Sequence, residues 1–268
     1  MLVWTAALSI TAVFCWILGD LLWNGLSRVS WSFLVDEPLR SGRDGGIFPV
    51  IASTLMIVGI CLVVAVPLGL GAAIILSEYT RSDRWFARAI RRSLDVLAGV
   101  PSIVFGLFGN AFFCIYLGMG YSILAGGLTL ACMVLPILIR ATEEGFRAVP
   151  DEYRQASAAL GMSRTGTLAH VLLPVAVPGL VVGLVLGIGR AMAETAALLF
   201  TSGYVARMPE SLLDSGRALS IHIFDLSMNI PGGTGNAYAS ALILISMLLI
   251  INLAASWLSR RWLQRTLL

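Results

Sequence analysis

Residues 153–174, YRQASAALGMSRTGTLAHVLLP, form a short polar stretch between two long apolar runs. The residue types predict a helix, a turn and a second helix. Pro150 and the two acidic residues after it can open the first helix, where the helix dipole favours negative charge. Gly161 suits a left-handed C-cap, and Ser163 can cap the helix that follows. An ordinary solvated loop would explain the polarity equally well, but a shaped polar element between apolar runs indicates a surface on which another protein docks.

The apolar runs decide the fold class. Of the 268 residues, 58% are hydrophobic and only 12% are charged, whereas about 25% are charged in an ordinary globular domain. Because a helix needs about 20 apolar residues to cross a bilayer, the sequence predicts an all-α integral membrane protein with six transmembrane helices. The polar element lies between spans four and five. The predicted spans are residues 3–23, 47–76, 94–117, 122–139, 171–200 and 237–257.

The distribution of arginine predicts the orientation. The sequence contains no lysine, so all 18 basic residues are arginines. Twelve lie in segments 77–93 and 140–170 and in the C-terminal tail, five lie on the opposite side, and Arg190 lies within the fifth span. The positive-inside rule therefore places both termini and the polar element in the cytoplasm. The external loops, residues 24–46 and 201–236, could meet an external binding protein, or they could simply connect spans.

Smaller expectations concern the second external loop and catalysis. We expect a short helix at residues 209–219 and a solitary loop histidine at His222. The four cysteines lie in apolar runs without metal-ligand spacing, which favours small buried side chains. No catalytic or metal-binding constellation is present in the sequence, so an enzyme is not predicted. A Walker A loop requires lysine, so any ATP and Mg²⁺ that drive this protein must be bound by a partner chain.

The fifth predicted span has one smooth face. Gly179, Gly183, Gly187 and Ala191 are spaced four residues apart. Small residues at this spacing let two membrane helices approach closely. We therefore expect this face to pack against another span.

The same span contains two charged residues, Arg190 and Glu194, beside the glycine face. On a continuous helix they are four residues apart and can reach each other. A charge at this depth costs at least about 2.5 kcal/mol, so it indicates either an ion pair that fixes helix register or a polar path. In a path, arginine offers a planar fork of donors that suits a tetrahedral oxyanion. Glu194 could balance Arg190 or accept a hydrogen bond from a protonated oxyanion such as hydrogen phosphate.

The polar element resembles a known motif. Gln155-Ala156-Ser157, then Gly161 and, after nine residues, Val171-Leu172-Leu173-Pro174 is similar to the cytoplasmic loop of binding-protein-dependent, MetI-like ABC importer permeases. That loop has the pattern E-A-A, three residues, Gly, nine residues, I-x-L-P. Here Gln155 replaces the usual Glu, which removes a charge but keeps a hydrogen-bonding end. The resemblance implies that the ATPase is coupled through Gln155, Ala156, Ser157, Ala159, Leu160, Gly161 and Pro174.

A second run of residues resembles a narrower group within that family. Residues 189–203, GRAMAETAALLFTSG, are similar to the G-R-A-x-G-E-T run of phosphate-specific ABC permeases, with Ala193 where Gly is usual. Residues 66–79 and 97–109 also resemble that family, and Gly45-Gly46-Ile47 favours its A-type subunit. The resemblance implies a substrate path at Gly189, Arg190, Glu194 and Thr195. It also divides the chain into residues 1–46, a first span with an external loop, and residues 47–268, a permease core with a coupling loop at about 142–170.

The resemblance also implies partners. These are a C-type permease subunit, two ATPase subunits and an external phosphate-binding protein, in the lipid of a bacterial or archaeal cytoplasmic membrane and without nucleic acid. Two other functions remain open from the sequence. One is the same machine for sulfate or molybdate, and the other is an ion-coupled secondary transporter in which Arg190 and Glu194 form a relay.

Overall fold

The computed structural model describes residues 2–80 and 85–266, most of which are helical. Arg81 and Arg84, which the orientation argument counts, lie outside the described residues, as do the side chains of Arg260 and Arg265. The α-helices are α1 (Leu2–Leu26), α2 (Trp31–Val35), α3 (Phe48–Ile74), α4 (Trp85–Ala98), α5 (Ser102–Gly109), α6 (Ile123–Arg147), α7 (Asp151–Ala159), α8 (Arg164–Thr167), α9 (Leu173–Ala193), α10 (Ala196–Leu199), α11 (Leu219–Met228) and α12 (Thr234–Thr266).

Shorter elements complete the backbone. The π-helical segments Ile75–Tyr79, Asn110–Tyr116 and Leu168–Leu172 continue α3, α5 and α8. In the first external loop, β1 (Pro38–Leu39) pairs antiparallel with β2 (Asp44–Gly45) around the 3-10 turn Arg40–Gly42.

The predicted number of spans agrees with the structure. Five described helical stretches are long and apolar enough to cross a membrane, and the count is six if one bent pair is a single span. The five are Val3–Leu26, Phe48–Tyr79, Ile123–Arg147, Arg164–Ala193 and Thr234–Trp257. The bent pair joins Trp85–Ala98 to Ser102–Tyr116 at an angle of 98°.

The predicted third span is two helices in the structure, not one. A single helix over residues 94–117 is wrong, because α4 ends at Ala98 and α5 begins only after Pro101. Pro101 has φ −58° and ψ 139°. Proline has no N–H to donate and disfavours helical backbone in the residue before it, so the ladder stops here.

The fifth span also differs from its prediction. A helix over residues 171–200 is wrong at both ends, because the second helix of the polar element runs directly into the span and the span stops at Ala193. Glu194 has φ −75° and ψ 126°, an extended backbone, before α10 restarts the helix at Ala196. The predicted fifth span is therefore a long helix, a break and one further turn.

The predicted glycine face of α9 is confirmed by its packing on α6. A Cβ at Gly183 would lie 3.0 Å from the Ala141 Cβ, and one at Gly187 would lie 2.7 Å from a Val134 methyl group. At the end nearer the polar element, a Cβ on Gly145 would lie 2.9 Å from the Gly179 Cα. The two backbones cross here at a distance that only glycine permits on both sides.

The first span lies at the periphery. Its contact with α12 is close at Gly25, where a Cβ would lie 2.9 Å from the carbonyl oxygen of Tyr238. Near this contact the Tyr238 hydroxyl donates a hydrogen bond to Asp20, at 3.0 Å. The division of the chain at residues 46 and 47 stays a prediction.

Two expectations for the second external loop are wrong. Residues 209–219 do not form the predicted helix; the Asp214 carboxylate instead accepts hydrogen bonds from the backbone of Glu210 and Ser211, at 2.9 and 3.2 Å, and holds a turn. His222 is not a loop residue. It lies in α11 with 0% of its surface exposed, and its Nδ1 is 3.4 Å from the Arg217 guanidinium.

Candidate translocation path and coupling element

The polar element has the predicted helix–turn–helix form. Pro150 precedes α7, whose first turn contains two acidic residues. Gly161 has φ +73°, the left-handed backbone that glycine adopts without strain. The Ser163 hydroxyl then accepts a hydrogen bond from the Gly166 N–H at 3.1 Å and caps α8.

Most of the predicted coupling residues share one exposed face. Leu160 has 81% of its surface exposed at the C-terminal end of α7. Ser157 lies beneath the face, only 3% exposed, and its hydroxyl donates to the Tyr153 carbonyl at 2.8 Å. Pro174 is half-buried at the start of α9, away from the turn. The residues on the exposed face are Gln155, Ala156, Ala159, Leu160 and Gly161.

Arg154 fastens this element to a distant span. Its Nη2 and Nε lie 2.6 and 3.2 Å from the two carboxylate oxygens of Glu78, at the end of the Phe48–Tyr79 span. The same guanidinium donates to the carbonyl oxygens of Phe146 and Val149, at 3.1 and 2.9 Å. The hydrogen bonds to Glu78 are the main reason that the pKa of Arg154 is raised. We call this contact the Arg154–Glu78 clamp; α7 therefore holds a span with which it is not contiguous in sequence.

A second ionic contact lies nearby and is centred on Glu143. Its side chain is 2% exposed, and its carboxylate lies 2.7 Å from Arg91 Nε, 3.0 Å from Arg147 Nη2 and 3.8 Å from Arg140 Nη1. Arg91 also donates to the Leu76 carbonyl at 3.1 Å. This group, which we call the Glu143 node, joins the end of the Phe48–Tyr79 span to α4 and α6.

Sequence reasoning missed both contacts. The spacing of Glu143 from Arg140 and Arg147 is the helical spacing of interacting pairs, so that part was detectable. Glu78 was visible as a carboxylate at the end of an apolar run. Nothing local identifies Arg91 or Arg154 as their partners, because those residues are 52 and 76 positions away.

The predicted path residues lie together at the break after α9. Arg190 is half-buried, and its Nε has no hydrogen-bond partner among the described residues. Gly189 faces open space, with no described atom within 4 Å of a Cβ placed on it. Thr195 is half-buried and directly precedes α10.

Glu194 does not pair with Arg190 in the described structure, so the expected contact four residues apart does not form. The reason is the break: the helix ends at Ala193, and the backbone of Glu194 is extended, so its side chain does not follow the helical spacing. Its Oε1 accepts a hydrogen bond from the Ala197 N–H at 3.1 Å. Its main-chain oxygen accepts another from the Ser220 hydroxyl at 2.6 Å. Glu194 therefore stabilises the break, and Arg190 is left without a counter-charge from it.

The turn after the break rests on α5. A Cβ on Gly106 would lie 2.8 Å from the Ala197 Cα, so glycine is needed for this approach. The Asn110 side-chain amide donates to the Phe200 carbonyl at 2.8 Å. The third and fifth spans are thus interrupted and support each other at the interruption.

The chain has several membrane-length helices, an interrupted span and an exposed helix–turn–helix, and discontinuous spans are typical of membrane transport proteins. The chain belongs to the family described as binding-protein-dependent transport system inner membrane component, whose model matches residues 65–266. It is therefore an ABC transporter permease of the bacterial inner membrane. The matching relatives are permease proteins, so the prediction of a transporter subunit rather than an enzyme is confirmed.

Individual relatives cover most of the chain. It is 32% identical to the probable ABC transporter permease protein YqgI of Bacillus subtilis, over 93% of this chain and 90% of that protein. It is 35% identical to the phosphate transport system permease protein PstA 1 of Mycobacterium tuberculosis, over 90% of this chain and 80% of that protein. It is 33% identical to the phosphate transport system permease protein PstC 1 of Mycobacterium bovis, over 82% of this chain and 74% of that protein.

A solved structure supports the fold. A chain of the bacterial alginate ABC transporter, in complex with alginate pentasaccharide-bound periplasmic protein, superposes with a TM-score of 0.69 over 97% of this chain and 95% of that one. The sequence identity is 13%, so the likeness concerns architecture and not substrate.

Proposed function

We propose that this chain is the A-type transmembrane subunit of an ATP-driven importer of inorganic phosphate. The names of relatives such as PstA 1 supply the substrate class. The observation that carries the proposal is the buried Nε of Arg190, which has no hydrogen-bond partner among the described residues and lies at the break in the fifth span. Non-helical backbone at membrane depth is tolerated where it is buried in protein or lines a water-filled path.

The chemistry of Arg190 suits an oxyanion. A buried donor without a partner costs about 1–3 kcal/mol, and more when it is charged. An anion that passes the break would supply the missing acceptor, and the guanidinium presents its donors in a planar fork that matches phosphate. Gly189 leaves room beside it, and Thr195 adds a hydroxyl. Glu194 holds the backbone in the conformation that exposes these groups, and its second carboxylate oxygen is available to a protonated phosphate.

The exposed face around Leu160 is the proposed docking site for an ATPase subunit on the cytoplasmic side. ATP and Mg²⁺ would be bound there by the partner, because this chain has no lysine for a phosphate loop. The Arg154–Glu78 clamp would carry a displacement of α7 to the Phe48–Tyr79 span as well as to its own neighbours. The ATPase can only select between states that the permease already has.

The complete assembly would contain this chain, a related C-type permease, two ATPases and an external phosphate-binding protein. Similarity to both PstA 1 and PstC 1 supports a pair of related permeases. Both termini would lie in the cytoplasm, as the distribution of arginine predicts. The external loops, which contain α2 and α11, would face the binding protein.

The experiment is phosphate uptake by the Arg190→Gln complex, with copurification of the ATPase as the second measurement. Arg207→Gln is the matched control, because Arg207 is exposed in the external loop and makes no ion pair among the described residues. We expect loss of uptake with the complex intact, and inhibition of the unchanged protein by arsenate but not by sulfate. Unchanged uptake in Arg190→Gln would remove Arg190 from the path. Inhibition by sulfate would favour another oxyanion, and uptake without an ATPase would favour a secondary transporter.

A further inference from the structure

Helix α4 turns away from the span that follows it. It meets the Ser102–Tyr116 segment at 98°, so it runs across that segment's direction instead of continuing it. It is also amphipathic, and one side is anchored in the protein by the buried Ala87 and Leu94. Arg91 on the same side reaches the Glu143 carboxylate at 2.7 Å. These contacts fix the rotation of α4 about its own axis.

One exposed edge of α4 is apolar. Trp85, Phe86 and Val96 have 75%, 53% and 69% of their surface exposed, and Leu97 is exposed beside them. Large side chains with this exposure on an amphipathic helix are typical of helices that lie in the membrane interface. Because the helix leads directly into an apolar segment, the bilayer is the environment that can cover this edge.

The other exposed edge is basic. Arg88 and Arg92 are both exposed, and at 100° per residue they project within about 40° of each other. Neither makes an ion pair with a carboxylate among the described residues. The one acidic residue of α4, Asp95, is paired with Arg140. Two guanidiniums are therefore held next to the apolar edge, and no carboxylate among the described residues is paired with them.

We propose that α4 is an interfacial helix that binds anionic phospholipid headgroups through Arg88 and Arg92. The apolar edge sets the depth of the helix, and the guanidiniums then lie at the level of the lipid phosphates. Free phosphate has the same acceptor oxygens but cannot cover the apolar edge, so the lipid is the occupant that satisfies both edges. The opposite side of α4 holds the Glu143 node, which places the lipid contact beside the ends of α3 and α6. The inference is independent of the transported substrate.

The test measures lipid binding to the purified chain by native mass spectrometry in a neutral detergent. The probes are a phosphatidylglycerol, a phosphatidylcholine with the same acyl chains, and inorganic phosphate. A basic residue near an anionic surface contributes enough to raise affinity about fivefold, so two arginines should give a preference of about thirtyfold for phosphatidylglycerol. The Arg88→Gln/Arg92→Gln variant should lose that preference, and Arg88→Lys/Arg92→Lys should keep most of it.

The charge-matched control is Arg43→Gln/Arg207→Gln, which removes two exposed arginines from the opposite side of the protein. It should retain the full preference. The proposal is overturned if Arg88→Gln/Arg92→Gln binds phosphatidylglycerol as tightly as the unchanged chain, or if the control loses the preference equally. It is also overturned if inorganic phosphate displaces the bound lipid at equal concentration, since a free anion would then be the ligand.

Discussion

Replacing Glu143 by glutamine should destabilise the protein more than any neighbouring charge removal. The carboxylate is 2% exposed and is the acceptor for Arg91, whose side chain is 12% exposed. The substitution keeps the shape but removes the negative charge of Glu143 from beside that guanidinium. The contact with Arg147 matters less, because the Arg147 side chain is 47% exposed. Arg140, at 3.8 Å, retains Asp95 as a partner.

The magnitude follows from these exposures. Breaking a buried ion pair costs about 3–5 kcal/mol, and a largely exposed pair adds about 0–1 kcal/mol. Glutamine still offers Arg91 a carbonyl acceptor, so we expect a loss near the lower limit, about 3 kcal/mol. At about 2–4 °C per kcal/mol for a chain of this size class, the melting temperature should fall by about 6–12 °C.

The assay is thermal unfolding in one detergent at one scan rate, since membrane proteins often unfold irreversibly. The control is Glu144→Gln: Glu144 is adjacent and exposed, and its side chain has no ion-pair partner among the described residues. It should change stability by less than about 0.5 kcal/mol. The Arg91→Gln/Glu143→Gln double variant should lose less than the sum of its single variants, because the residues share one contact. Equal melting temperatures for the two glutamate variants would refute the reasoning.

Three further variants test other contacts. Gly179→Ala should overpack against α6 and reduce the stability by about 1–3 kcal/mol, which lowers the melting temperature. Gly71→Ala should not lower it, because no atom lies within 4 Å of the new Cβ. Equal effects in the same thermal scan would contradict the close crossing. Arg154→Gln should reduce uptake per ATP hydrolysed while the ATPase still copurifies, and the swap Glu78→Arg/Arg154→Glu should restore part of it; a swap no better than the single variant would contradict the clamp. Burial, reinforced by Arg217, lowers the pKa of His222 from 6.5 to about 4. The unfolded chain therefore takes up this proton first, and stability should fall by up to about 3 kcal/mol as the pH drops from 6.5 towards 4. His222→Gln should flatten that part of a plot of melting temperature against pH, and an unchanged profile would contradict the assignment.

Periodic and local patterns predicted most of the fold. The number of spans, the helix–turn–helix and the packing face of α9 depend on composition and spacing within one segment, and each is present in the structure. The interruptions were missed for different reasons. Pro67, Pro136 and Pro178 lie inside continuous helices, whereas the helix stops before Pro101. Proline alone therefore does not predict where a membrane helix breaks.

The break at Glu194 had no local signal. It depends on the Ser220 hydroxyl and on the space that Gly106 leaves for Ala197, and both lie on other elements. The sequence placed Arg190 and Glu194 on one helix and so predicted the wrong contact between them. Both residues lie next to the break, as the cost of charges in an apolar run would suggest, but their role in a substrate path stays a prediction.

The polar element and the break are two ends of one helical stretch. Arg164–Ala193 contains 30 residues without interruption, which corresponds to about 45 Å at 1.5 Å per residue. Its middle crosses α6 at Gly145 and Gly179, where no side chains interlock. The same face stays close to α6 towards the break, at Gly183 and Gly187, so α9 is held along its length and not at a single point. We therefore expect a push on the polar element to move Arg190 together with α9, while the Arg154–Glu78 clamp draws the Phe48–Tyr79 span with α7. The proposed docking face and the Arg190 guanidinium would then be connected by one continuous helical stretch.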